Sequence, residues 1–350
     1  MLFIISHHFF GHGGWSNVTG GANSFFMDLT SALFVPSVNI FVMISAYFMC
    51  THDTLSVPWK KLLKLYVPVY FYSAVLYIIF TATGVYKFDV HSLIATLFPV
   101  LMGKYWFVSA YFVMMIASPF LNLIVKHLSK AQFSMTCLAI IAFAALKDVG
   151  VTDSALVLSS GYNGLWFCLL YILAAYIRKY DIRFTSKMAF AICAICFVGV
   201  VMLMTFVWKH AHYTSIVTIY MSIFIFLAAK TVTVSGKFIS KIICSLSRLT
   251  FGVYLIHDSN EMRGWMYENL FHSSQLIPSK LSFLIYIGFI LLTFTICAAI
   301  EFVRQLGFSG ISYLIRRLFG EKIDSINARI KTVANKIADK INSVDASQSS

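Results

Sequence analysis

Few residues in this chain have side chains suited to chemistry, and the most exposed to suspicion come first. His7 and His8 close the opening apolar run, MLFIISHHFF. A neutral imidazole near pH 7 accepts a proton from a hydroxyl, which suits general-base catalysis of group transfer. Neighbours on a helix point about 100° apart, so the two rings do not share one small cavity equally. Hydrogen bonding to an adjacent helix is the bland alternative for either ring, and spacing leaves both readings open. Ionisable groups at membrane depth are costly, which marks this pair as functional candidates.

A second constellation is SRLTFGVYLIHD, with Arg248 and His257 on one helix. Nine residues separate them, about 14 Å along the axis. Arg248 there either grips a phosphate or carboxylate bidentately or snorkels to an interface. A third, GKYWFVSAYFVMMIASPFLN, gathers Lys104, Tyr105, Trp106, Ser109 and Tyr111 at a helix entrance. Pro119 late in that helix predicts a kink that opens a cavity. In VNIFVMISAYFM, Asn39, Ser45 and Tyr47 interrupt an apolar run, as interhelical hydrogen-bonding groups do. Cys193 and Cys196 form a CxxC inside an apolar segment with no second ligand pair, so they read as small hydrophobes rather than a metal site.

The elements that must hold these groups follow from composition. Of 350 residues, 59% are hydrophobic and 12% charged, with 33 Phe and 18 Tyr. A lipid-embedded helical bundle uses that much apolar surface. The pattern predicts an all-α, polytopic transmembrane bundle of about ten spanning helices, the first truncated: Met1–Phe10, Phe34–Met49, Tyr66–Gly84, Tyr105–Val125, Phe133–Leu146, Gly164–Ile177, Met188–Trp208, Tyr213–Ala229, Ile242–His257 and Leu281–Val303. Residues 1–319 form one membrane domain on this reading, and 320–350 a cytoplasmic, basic, amphipathic tail with a disordered end. LSVPWKKLLKL (Leu55–Leu65) reads as a surface-lying helix.

The net charge of +13 resides mainly in alternate loops, which points to membrane topology rather than to nucleic acid. Lysines and arginines concentrate in the connections that are cytoplasmic if both termini are cytoplasmic. His7 and His8 then approach the outer face, beside GHGGWSNVTGGANSFFMD and HDSNEMRGWMYENLFHSSQ. Aromatic and polar groups together in the second loop suit carbohydrate or an ordinary interfacial belt.

MLFIISHHFF, VNIFVMISAYF, YWFVSAYFVMMIASPFLN, LWFCLLYILAAYIRKY and SRLTFGVYLIHD, in that order and spacing, resemble the membrane acyltransferase-3 family over nearly the whole chain to about Phe319. The likeness is greatest to bacterial enzymes that acylate exopolysaccharide or other cell-surface glycans. It implies a bacterial cytoplasmic-membrane enzyme with acyl-CoA, usually acetyl-CoA, as co-substrate, a sugar hydroxyl as acceptor, and neither a metal nor a bound cofactor. It maps the catalytic histidine onto His8, with His7 the fallback; as our own reading of the residues, Arg248 is expected to neutralise the donor phosphates. Tyr47, Trp106 and Tyr111 line the cavity, with Lys104 and His257 as further substrate-binding candidates. Family members commonly carry glycine where Ala46 stands. They also carry an arginine about three helical turns before the histidine, a position that falls before Met1. A start codon set too late explains that, with a defective copy as the other explanation. A transporter or flippase of glycan intermediates, or an inactive scaffold, would share the same helices.

Overall fold

The computed structural model describes residues 1–14, 29–52, 55–146, 148, 150, 158–206, 212–276 and 282–348, with side chains described to Leu318 except at 186, 189, 203–206, 274 and 276. Among these the secondary structure is helical throughout. Five helical stretches are long and apolar enough to cross a membrane: Leu29–Met49, Trp59–Ala82, Trp106–His127, Lys237–His257 and Ser282–Leu318. Shorter apolar helices accompany them, at Lys130–Ala145, Phe190–Met202 and Ile216–Thr231. The expected count of ten spans is therefore represented by fewer full-length crossings. Large apolar side chains stand exposed along the bundle, such as Phe48 at 65% and Phe190 at 74%. That is the surface lipid covers and water does not.

The helices that position the site are α1 (Leu2–His12), α2 (Ser37–Met49), α3 (Trp59–Ala82), α4 (Val90–Leu97), α5 (Trp106–His127), α6 (Lys130–Ala145), α7 (Gly164–Lys179), α8 (Ser186–Phe206), α9 (Ile216–Thr231), α10 (Lys237–His257) and α11 (Asn260–Trp265). α7 is the hub, packed against α2, α5 and α6. Its start is set by Asn163, whose side chain accepts from Trp166 N at 2.9 Å. Gly164 lets α5 come close, since a Cβ there would lie 2.6 Å from Val113. Trp166, Phe167, Leu170 and Tyr171 are fully buried as a result.

One buried polar link joins three parts of this core. Trp166 Nε1 donates to Asn39 Oδ1 at 3.1 Å, and Asn39 Nδ2 donates to the Tyr213 carbonyl at 2.9 Å. Asn39→Ala would strand a buried donor and a buried acceptor. We expect a loss of about 2 kcal/mol, read as a lower midpoint of thermal unfolding in detergent; an unchanged midpoint would contradict it.

Two expectations change. Residues 59–65 do not form a helix of their own but make the first, largely exposed turns of α3, which runs on through Pro68 to Ala82. A proline's missing N–H and ring kink a helix without ending it when the flanking turns are packed. The segment after His257 is not an open polar loop: α11, a π-turn at Met266–Leu270 and a turn at Ser273–Leu276 bury Glu261, Met266, Tyr267 and Phe271. The last helix is assigned from Ser282 to Gln348. The chain divides into compact units at Met1–Ala298 and Ala299–Ser350. In the second, Arg304 brackets the Glu301 carboxylate with two 2.7 Å hydrogen bonds. Most of the loop at 11–28 and the side chains of the tail lie outside the described residues.

Candidate active site

α1 brings His8 and His12 to one face, one turn apart, and turns His7 to another. α10 is exposed over its first half and buried from Gly252 to His257, so it delivers His257 into the core at its last residue. Asp258 follows as the C-cap residue. Ser259 then restarts the chain as the N-cap of α11, accepting from Met262 N at 3.1 Å. An end and a start of helix back to back thus pack His257, Asp258 and Arg263 around α1.

Proton positions follow from the hydrogen bonds. His257 Nδ1 lies 2.6 Å from the Val253 carbonyl, which only accepts, so that nitrogen carries hydrogen. Neutral His257 then has a bare Nε2, and His8 Nδ1 donates to it at 3.0 Å. Neutral His8 is left with a bare Nε2, the tautomer of a general base. The Asp258 carboxylate sits 3.4 Å from His8 Nδ1, a second acceptor ready when the ring becomes imidazolium. Burial pushes the Asp258 carboxyl up, and the Arg263 guanidinium, 3.6 Å away, pulls it back down. Arg263 also donates to His12 Nε2 at 3.1 Å and to Asn260 Oδ1 at 2.7 Å, which fixes its fork.

His8 borders a cleft of about 370 Å³ with Val38, Phe41, Trp106, Phe107, Phe251 and Tyr254. Phe41, Phe107 and Phe251 also line an adjoining cleft of about 390 Å³ that continues past Tyr111 to Leu65. At the other end of α2 and α5 lie two polar clefts of about 490 and 660 Å³ that share His52 and Asn122. Lys61 lines the first, together with Pro119, the kink-forming residue of α5; Lys126, Arg178 and Lys179 line the second. Val38 and Met49, at the two ends of this series, are eleven residues or about 17 Å apart along α2.

The candidate residues separate accordingly. His8, His257 and Trp106 come together at one end. His7 turns away and meets the Tyr213 hydroxyl at 3.1 Å through Nε2. Tyr111 lines the adjoining cleft. Tyr47 lies at the basic end, its ring under Arg178 at 4.6 Å and Lys230 at 5.2 Å. Arg248 is exposed on α10 and lines none of these clefts.

Lys104 is buried behind the site, where its Nζ meets Glu261 Oε1 at 2.7 Å, Thr96 Oγ1 at 2.9 Å and the Ser73 carbonyl at 3.3 Å. Burial lowers the Lys104 pKa against the opposing pull of that carboxylate. Next to it, the Tyr105 hydroxyl donates to the Leu255 carbonyl at 3.1 Å, tying the entrance of α5 to the end of α10.

Sequence reasoning passed over Asp258, Glu261, Arg263 and Tyr213. Asp258 and Glu261 carried a readable signal, two acids within four residues of His257 at a helix end. Tyr213 carried none, being one tyrosine among many.

Searches of curated proteins and of solved structures return no match. A family model described as an acyltransferase domain matches residues 1–302, which takes in every residue of the site. The chain belongs to the acyltransferase 3 family.

Proposed function

We propose that this membrane acyltransferase is an O-acyltransferase that moves an acetyl group from acetyl-CoA to a hydroxyl of a cell-surface glycan in the bacterial cytoplasmic membrane. The observation that carries the reading is the bare Nε2 of His8 on a cleft wall, its tautomer held by His257. His8 takes the proton of the acceptor hydroxyl as the oxygen attacks the thioester carbonyl. The carbon–sulfur bond then breaks, the CoA thiolate leaves, and the imidazolium returns the proton to it. Asp258 stabilises the imidazolium while it exists.

The donor's path supports the same reading. An extended pantetheine arm is as long as roughly five extended residues, ~17 Å, which matches the run from the basic clefts to His8. Lys61, Lys126, Arg178 and Lys179 suit the nucleotide phosphates, and the aromatic clefts suit the arm. The basic end faces the cytoplasm on this reading, where both the donor and the positive loops belong.

Membranes containing the full chain, labelled acetyl-CoA and the host's surface polysaccharide, deacylated with mild base, test it. Label is expected in the polysaccharide and absent with His8→Ala. Label that persists in His8→Ala overturns the role of His8. No label from the unaltered protein overturns the acetylation reading and leaves transport or scaffolding.

A further inference from the structure

One aromatic group at the His8 cleft has no part in the chemistry above. Trp106 lines that cleft, and around it stand Tyr162, with ring centroids 4.6 Å away and planes tilted 54°, and Tyr213, nearly parallel at 6.0 Å. Tyr162 and Tyr213 are 4.9 Å apart. Tyr213 is buried, its hydroxyl on His7 and its carbonyl on Asn39, so it is fixed from behind. Tyr162 is 49% exposed. The cluster thus has a buried floor, a wall shared with the catalytic cleft, and one open face.

The backbone is bent to make it. Ser159, Ser160 and Gly161 follow one another at φ 45°, 54° and 98°. Left-handed conformations at non-glycine residues cost on the order of 1–3 kcal/mol each and persist where the surroundings impose them. At Gly161 a Cβ would meet the Tyr213 Cβ at 2.6 Å, so glycine is what lets the turn reach that ring. The turn closes with Tyr162 N donating to the Ser159 carbonyl at 2.9 Å, and the next residue, Asn163, caps α7. Strain here has one visible product: Tyr162 seated on Trp106.

We propose that Tyr162 and Trp106 form the acceptor subsite, a platform on which a sugar ring stacks while its hydroxyl reaches His8. This rests on the acyl-transfer reading above. The negative face of an aromatic ring attracts the polarised C–H face of a pyranose, and the sugar's equatorial hydroxyls stay free for polar partners. A quaternary ammonium is the other chemistry aromatic clusters bind, but it is favoured by a box of several open faces. Here the third ring is buried and the open part is a single ring with an adjoining edge, which fits a flat ligand.

The test is the kinetics of Tyr162→Ala, Tyr162→Leu and Tyr162→Phe with acetyl-CoA and oligosaccharides cut from the deacylated host polysaccharide. Alanine and leucine are expected to raise the oligosaccharide KM about tenfold with a much smaller change in kcat, and phenylalanine to stay within twofold of wild type. Unchanged KM in alanine and leucine overturns the platform, as does phenylalanine failing like alanine. The same oligosaccharides, titrated into wild-type protein and Trp106→Phe in detergent, should change tryptophan emission saturably in wild type only. No saturable change overturns the platform even where no acyl transfer is detected, so its failure is separable from that of the enzymatic reading. Displacement of the oligosaccharide by tetramethylammonium chloride would assign the cluster to a cation and overturn the sugar.

Discussion

Replacing His8 by alanine is expected to lower acyl transfer on the order of 10²–10⁴-fold, the usual contribution of a positioned general base. The loss should fall on kcat, because His8 is one of several residues on the cleft wall and the apolar rest of it remains to bind. His7→Ala is expected to cost far less. Its ring bonds the Tyr213 hydroxyl instead of entering the chain from Val253 through His257 to His8. His257→Phe should lie between the two: the base survives, but only the longer 3.4 Å contact with Asp258 then favours a hydrogen on His8 Nδ1. Equal losses from His7→Ala and His8→Ala, measured by label transfer in membranes, would contradict this assignment.

The second large effect is on stability. Glu261→Gln is expected to destabilise the protein by about 3–5 kcal/mol, because it leaves the Lys104 ammonium buried without its counter-charge. Both side chains are almost wholly buried, at 2% and 1% exposure, and the pair is direct at 2.7 Å. Lys104→Met should cost a similar amount. It strands a carboxylate whose other oxygen, Oε2, already has no hydrogen-bond partner. Thermal unfolding in detergent is expected to shift down by roughly 10 °C for either single variant. The double variant Lys104→Met/Glu261→Leu should recover most of that, since replacing a whole buried pair with apolar groups is often neutral. A double variant as unstable as the singles would show that Thr96 and Ser73, not the ion pair, carry the stability. Recovered stability without recovered activity would show that the pair also positions the His257–Asp258 segment.

Much of the architecture was legible in the sequence because hydropathy is a local property. Each apolar run reports its own helix, and the order of polar interruptions within the runs carried the family resemblance that the family model matches over residues 1–302. The entrance at Lys104–Trp106 and the His257 helix end were visible for the same reason: polar groups in apolar runs stand out. Helix faces were not visible. In a water-soluble helix polarity tells the core face from the solvent face, but here lipid and core are both apolar. Met43 is fully buried and its neighbour Ile44, the more apolar of the two, is 44% exposed, so hydropathy does not mark the core face. Surface and spanning segments blurred likewise: Trp59 and three lysines looked interfacial, but the same residues begin α3.

By itself, then, the sequence determined an all-α, lipid-facing bundle, its family and a short set of polar residues that lipid would not tolerate unpartnered. Tertiary structure decided which of them meet. His8 and His257 are 249 positions apart, and Asn39 and Trp166 are 127 apart. Their contacts depend on how each helix is rotated about its axis, which close packing fixes to within part of a turn and no periodicity in these runs records. That His8 rather than His7 lines the cleft is a consequence of that rotation, a difference of about 100° on one helix.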